Sequence, residues 1–321
     1  MDKNREKKLA LSFLNNLSSE DIKRIGETDI SWESLEIFLG RERMELFENE
    51  LSWADDNSIG EHGYVFIDEE EYPESLKQYA DAPYRISYIG SRPKGCDGEY
   101  NLAKSITIVG TRTASSEGIK SAFTFARDSA SASLVVYSGY ADGIDKAAHY
   151  GCVAELGNTF AILASGLNTE YSHRRPKLEQ EIIENGGGLL SPFPADTEPF
   201  KSNFYYRNKL LALISDATVV VEAPLHSGSL ITAHAAAEGG KSVYVLTSGI
   251  KNSRTGEGCR RLKQEGAIEI DSYSMLSDKY IEFPKGTISI PIKKDKVAEM
   301  KTSGDAKRIV GYNGSYYAIV K

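Results

Sequence analysis

The sequence predicts an α/β fold: a parallel sheet with helices on both faces, preceded by a small helical N-terminal domain. Three observations predict it. From residue 104 onward, short apolar runs alternate with helical patterns. Those runs are apolar on both faces, which is the mark of parallel strands covered on both sides. The first 50 residues, by contrast, read as short helices.

The elements follow in order. Leu9, Leu11, Phe13, Leu14 and Leu17 cluster ahead of Ser18-Ser19-Glu20-Asp21, a helix cap. A second amphipathic stretch carries Trp32, Leu35, Ile37, Phe38, Met44, Leu46 and Phe47. Tyr64–Ile67 and Ile86–Gly90 read as strands, with the turns Tyr72-Pro73 and Asp81-Ala82-Pro83 between them. Residues 91–100 read as a loop. Strands are then expected at Ile106–Val109, Leu134–Tyr137, Phe160–Leu163, Gly188–Leu190, Ala217–Val221 and Ser242–Leu246. Helices are expected at about 117–132, 144–156, 175–185, 204–214 and 229–239. Residues 285–321 are Lys-rich with short β-like pieces and read as a β appendage or tail. The expected domains are therefore residues 1–60, 61–284 and 285–321.

Composition excludes several classes. The chain has 321 residues, is 40% hydrophobic and 26% charged, and suits a globular protein of two domains or of one domain with appendages. No apolar run approaches the roughly 18 residues of a membrane helix. The N-terminus lacks a signal-peptide pattern, so a cytoplasmic location and no membrane partner are expected. Cys96, Cys152 and Cys259 show neither disulfide nor zinc spacing, and the five histidines form no metal-ligand pattern. The net charge of −8 is local: residues 1–80 hold 20 Asp/Glu against 9 Lys/Arg, and the remainder is slightly basic. A polyanionic partner for the later residues stays open, because a patch rather than the sum decides binding.

Ligands of such sheets sit at the carboxyl ends of the strands. The loops there are Gly110-Thr111-Arg112, Ser138-Gly139-Tyr140-Ala141-Asp142-Gly143, Ser165-Gly166-Leu167 and, after Glu222, Ser227-Gly228-Ser229. Glycine lets backbone N–H groups approach an anion, and the following helix adds partial positive charge. Four such loops on one edge predict a phosphate-binding rim. Neither GxGxxG nor GxxxxGK[ST] occurs, so no dinucleotide or Walker-type cofactor is expected. The segment Phe200–Lys209 interleaves aromatics with cations, which suits a strand of bases and phosphates; the alternative is a core helix with Arg207 paired to a carboxylate. Lys251 to Lys263 is basic and reads as a solvated face. Asp145 and His149 share a helix face. They read as a structural pair that fixes the loop, with a general base as the alternative. Glu222 reads as a loop anchor or an acid-base group. No catalytic constellation is placed by a motif.

From Tyr72 to Ala267 the chain resembles the DNA-processing protein A (DprA/Smf) family. The resemblance rests on Tyr72-Pro73-x-x-Leu76, Ile108-Val109-Gly110-Thr111-Arg112, and Ser138-Gly139-x-Ala141-x-Gly143-Ile144-Asp145 with His149. It continues through Gly166-Leu167, Tyr171, Phe193-Pro194, Phe204, Arg207-Asn208, Val220-Val221-Glu222-Ala223 and Ser227–Ala233. It implies a Rossmann-like core that binds single-stranded DNA, helps load a RecA-type recombinase during DNA uptake, forms a homodimer and catalyses nothing. The implied DNA contacts are Arg112, the Gly139 loop, Lys201, Phe204, Arg207, Asn208 and Ser227-Gly228-Ser229. Departures from the family pattern are Asp142, an acid that would repel phosphate, and Tyr206 and Lys209, which replace arginines. Ser172, Arg175 and Arg260 are others. Residues 285–321 are too short for the winged helix that ends many relatives. The alternative reading is a small-nucleotide sensor or nucleotide-processing enzyme of a related fold; its expected Pro-Gly-Gly-x-Gly-Thr loop is replaced here by His226–Thr232.

Overall fold

The computed structural model describes residues 3–14, 21–22, 24–25, 31–54, 60–93, 105–169, 175–280, 288–292, 308–312 and 315–320. Cys96, Tyr171, Ser172 and His173 lie outside the described residues.

Two N-terminal helices, α1 (Lys3–Leu11) and α2 (Trp32–Ala54), come first; α2 breaks at Gly40, whose φ of 69° is left-handed. Strands β1 (His62–Phe66) and β2 (Arg85–Gly90) flank the one-turn α3 (Glu74–Lys77). The alternating region runs β3 (Ser105–Val109), α4 (Ser116–Ser131), β4 (Val135–Ser138), α5 (Ile144–Ala154), β5 (Thr159–Ile162), α6 (Pro176–Glu184) and β6 (Gly188–Ser191). It continues with α7 (Lys201–Ile214), β7 (Ala217–Val220), α8 (Ser229–Glu238) and β8 (Ser242–Leu246). After β8 come α9 (Thr247–Lys251), α10 (Glu257–Gln264), β9 (Ile268–Ile270) and α11 (Tyr273–Tyr280). Strands β10 (Ile288–Ile292), β11 (Arg308–Tyr312) and β12 (Ser315–Val320) form a separate antiparallel sheet in the order β10-β12-β11.

The large sheet has nine strands in the order β1-β2-β6-β5-β4-β3-β7-β8-β9. From β6 to β9 every pairing is parallel, and β1 and β2 extend the sheet antiparallel beyond β6. The order reverses between β3 and β7. That is the switch point, where neighbouring βα loops diverge and leave a crevice.

Strand alternation divides the core between two faces. Ile106, Ile108, Val219 and Val221 point toward α4 and α5, with Phe125, Ala126, Ala148 and Cys152. Val109 and Val220 point the other way, toward Leu210, Leu211 and Ile214 of α7 and Leu230 and Ala233 of α8. Each fully buried side chain of this size contributes about 1.5–3 kcal/mol. The N-terminal helices share a third cluster with β1 and α6, in which Leu9, Leu35 and Trp53 meet Tyr64, Leu163 and Ile182. A buried ion pair fastens them: Arg85 donates to Glu50 at 2.5 Å, and the second Glu50 oxygen accepts from the Ala195 amide at 2.7 Å.

Three details depart from the sequence reading. α7 starts at Lys201, three residues ahead of the expected Phe204, because extended Phe200 serves as its cap. The stretch after β8 carries α9, α10 and β9. β9 has only three residues, too few for a periodicity signal. The basic run 251–263 is only partly a solvated face, since Cys259 and Leu262 of α10 are buried and Arg260 donates to the Ile250 and Asn252 carbonyls.

Candidate functional site

The crevice beside β3 and β7 holds a cavity of about 310 Å3. Gly110, Thr111 and Arg112 line it from the β3 loop, Phe204, Arg207 and Asn208 from α7, and Ser227, Gly228 and Ser229 from the β7–α8 loop. A smaller neighbouring cavity of about 110 Å3 adds Gly139, Tyr140 and Asp142, and shares Arg112, Phe204 and Arg207. The structure thus brings together nearly all residues expected on the rim. Lys201 sits exposed at the start of α7, on neither cavity wall. Ser138 is fully buried and donates to the Ile108 carbonyl at 2.6 Å, because β4 extends one residue further than expected and keeps the side chain inside the sheet.

Some of the loop amides serve the protein itself. Thr111 N–H donates to the Glu222 carbonyl at 2.8 Å, and the Gly110 and Ala141 amides serve the Asp145 carboxylate. Gly110 and Gly139 are glycines for space. A Cβ at 110 would fall 2.5 Å from Ile144, and one at 139 would fall 2.7 Å from Asp145 and 2.8 Å from Arg207. Gly228 has no such constraint, its nearest neighbour being Asn208 at 3.4 Å. Asn208 donates to the Gly228 carbonyl and so ties α7 to this loop. Ser227 and Ser229 are hydrogen-bonded to each other at 2.8 Å.

Side chains add positive charge to the rim. Arg112 is exposed, makes no ion pair among the described residues, and lies 5.0 Å from the Phe204 ring centroid. Arg207 approaches the same ring at 5.7 Å but is buried. One of its nitrogens donates to the Gly139 carbonyl at 2.5 Å and the Ile162 carbonyl at 2.6 Å. It is a strut between the ends of β4 and β5. Burial lowers its pKa to about 10, and Asp145 opposes that shift. Glu222 is fully buried and accepts from Ser115 N–H and Oγ, from Asn252 and from Thr255. It clamps the start of α4 to the segment after α9.

Tyr206 and Lys209 do not face the cavity. Tyr206 donates to the Asp81 carbonyl at 2.8 Å and packs its ring against Phe193, and Lys209 lies 3.6 Å from the Asp81 carboxylate. Asp142 accepts from the buried Lys146 at 2.7 Å, so its charge is neutralised locally. Sequence reasoning passed over Lys146, although the Asp142-x-x-x-Lys146 spacing signals the pair.

A family model described as DNA recombination-mediator protein A matches residues 63–280. The chain belongs to this family. It is 33% identical over 244 residues to Protein Smf of Escherichia coli, and 34% identical over 203 residues to DNA processing protein DprA of Streptococcus pneumoniae. These alignments cover 75% and 63% of this chain, and 62% and 68% of the relatives. The X-ray structure of the S. pneumoniae protein superimposes with a TM-score of 0.65 at 27% identity, covering 87% of this chain and 98% of that one. DNA processing protein A of Helicobacter pylori, described by its single-stranded DNA binding mode, superimposes with a TM-score of 0.58 at 25% identity, covering 70% of this chain and 100% of that one. The fold of this recombination-mediator family member is therefore the Rossmann-like fold of DprA.

Asp145 and His149 do not pair with each other in this DprA-family protein. Asp145 holds the Gly139 loop, while His149 meets Thr159 at 2.8 Å. Both are buried, with opposite consequences. Burial raises Asp145 to about 6, against the pull of Arg207, the two loop amides and Arg112. Burial, helped by Lys146 and Arg207, lowers His149 to about 3. The folded state therefore holds a proton on Asp145 that the unfolded chain releases, so this contribution falls as pH rises from about 4 to 6. The unfolded chain protonates His149 below about 6.5 while the folded state does not, so that contribution falls as pH drops through the same window. Each slope is about 1.4 kcal/mol per pH unit, and the two offset. Denaturant titrations between pH 4 and 6 are expected to separate them. His149→Gln should remove the acid-side loss, and Asp145→Asn should remove the opposing slope. The wild-type advantage over the two variants should thus change with pH in opposite directions.

Proposed function

We infer that the protein binds single-stranded DNA along this rim and delivers it to a RecA-type recombinase, acting as a cytoplasmic homodimer and catalysing no step itself. The observation that carries the reading is the Arg112–Phe204 pair at the mouth of the cavity. An exposed guanidinium beside an aromatic ring offers one nucleotide both a phosphate partner and a stacking surface. Arg112 lies at the switch point, where ligands of such sheets collect. The Gly228 loop, whose glycine no packing requires, leaves room for a backbone to approach. Lys201, exposed on the same helix as Phe204, continues positive charge beyond the cavity, which favours a polymer over a mononucleotide. The family's description as a recombination mediator supports the delivery step.

Competition binding tests this reading. Unlabelled single-stranded oligonucleotide is expected to displace a labelled oligothymidine at much lower concentration than duplex of the same length, since paired bases cannot stack on Phe204. Equal competition by duplex would contradict it.

A further inference from the structure

We propose that the outer face of α7 is a second nucleotide-binding lane, in which an unpaired base stacks on Tyr205 between Lys201 and Lys209. The proposal rests on the single-strand reading of the neighbouring rim. Residues 201, 205 and 209 are spaced four apart and form one stripe along the helix. Tyr205 is 52% exposed, although burial would stabilise a ring of its size. Lys209 Nζ lies 5.3 Å from its ring centroid. Lys201 is exposed one turn earlier, and Phe200, 62% exposed, caps the helix beside it. Lys201 stands one turn before both Phe204 and Tyr205, at i+3 and i+4, so the stripe meets the rim at that lysine.

The occupant is a single strand on grounds of charge and shape. An accessible aromatic face flanked by two ammonium groups matches a base between two phosphates. A duplex offers no free base face. Asp81 opposes this lane, since its carboxylate is 64% exposed and lies 3.6 Å from Lys209. Its removal therefore frees a cation for phosphate.

The test compares oligothymidines of about 2 and about 15 nucleotides, one short enough to occupy the cavity alone and one able to reach the lane. Tyr205→Ala is expected to weaken the longer oligonucleotide roughly tenfold and leave the shorter one unchanged. Tyr205→Trp should restore binding, and Asp81→Asn should tighten the longer one alone. Phe204→Ala should weaken both. If Tyr205→Ala leaves the longer oligonucleotide unaffected while Phe204→Ala weakens both, the lane is overturned and the rim reading stands. If Tyr205→Ala instead changes only the mass in solution, the stripe is a protein contact and the lane is likewise overturned. If the wild type binds neither oligonucleotide, both readings fall together.

Discussion

Replacing Arg207 with alanine is expected to lower stability by about 3–5 kcal/mol, since two buried carbonyls lose hydrogen bonds from a charged donor, each contributing about 1.5–3 kcal/mol and less than additively. Arg207 is only 4% exposed. Its loss strips the Gly139 and Ile162 carbonyls of their donor and removes the cation that favours ionised Asp145. For a domain of this size the melting temperature should fall by roughly 6–20 °C, measurable by calorimetry or circular dichroism. Arg207→Lys should recover only part of the loss, since an ammonium lacks the planar fork of a guanidinium. The residue belongs to the expected DNA-contact set, but the geometry gives it a different route to function. It holds β4, β5 and the Gly139 loop in register beneath Phe204. An alanine variant that loses both stability and DNA binding fits this route. One that stays fully stable would contradict it.

Phe204→Ala is expected to leave stability nearly intact and to lower affinity for single strands about 5- to 150-fold, the range for loss of one base–aromatic stack. Phe204 is half-buried at the mouth of both cavities, and the Arg112 guanidinium rests over its ring at 5.0 Å. Truncation removes the stacking surface and frees Arg112 to wander, so both halves of the proposed nucleotide contact suffer. Phe204→Trp should bind at least as well as wild type, because the larger ring keeps the face and strengthens the cation–π contact. Equilibrium binding together with thermal unfolding separates this variant from Arg207→Ala: one loses affinity with a normal melting curve, the other loses both.

The sheet was legible in the sequence because its strands are apolar on both faces and separated by well-formed helices. Ser115, for example, accepts from the Gly118 amide as the cap of α4. The site was legible as a set of strand-end loops, because the switch-point rule places those loops on one edge. What sequence could not supply was how each polar group is spent. Gly110 and Gly139 look like anion-cradling glycines, yet their amides or their space serve Asp145 and Arg207. Asp142 looks like a repulsive charge until Lys146 is placed against it. Tyr206 looks like a stacking platform until its hydroxyl is found on Asp81. Each of these depends on a partner from a different element. β1 and β2 were legible as strands but not as an antiparallel extension beyond β6, since nothing local specifies the edge they join.

On the proposed single-strand reading, the side-chain cations Arg112 and Lys201 hold the phosphates. Fluorescence anisotropy of a labelled oligothymidine across a salt series tests it most directly, with wild type, Arg112→Ala and Lys201→Ala compared. Affinity should fall log-linearly with salt. Each variant should bind more weakly across sequences, with a slope shallower by about 0.7 for its one lost phosphate contact. Wild-type affinity independent of salt, or an unchanged slope in both variants, would rule these cations out as the phosphate contacts.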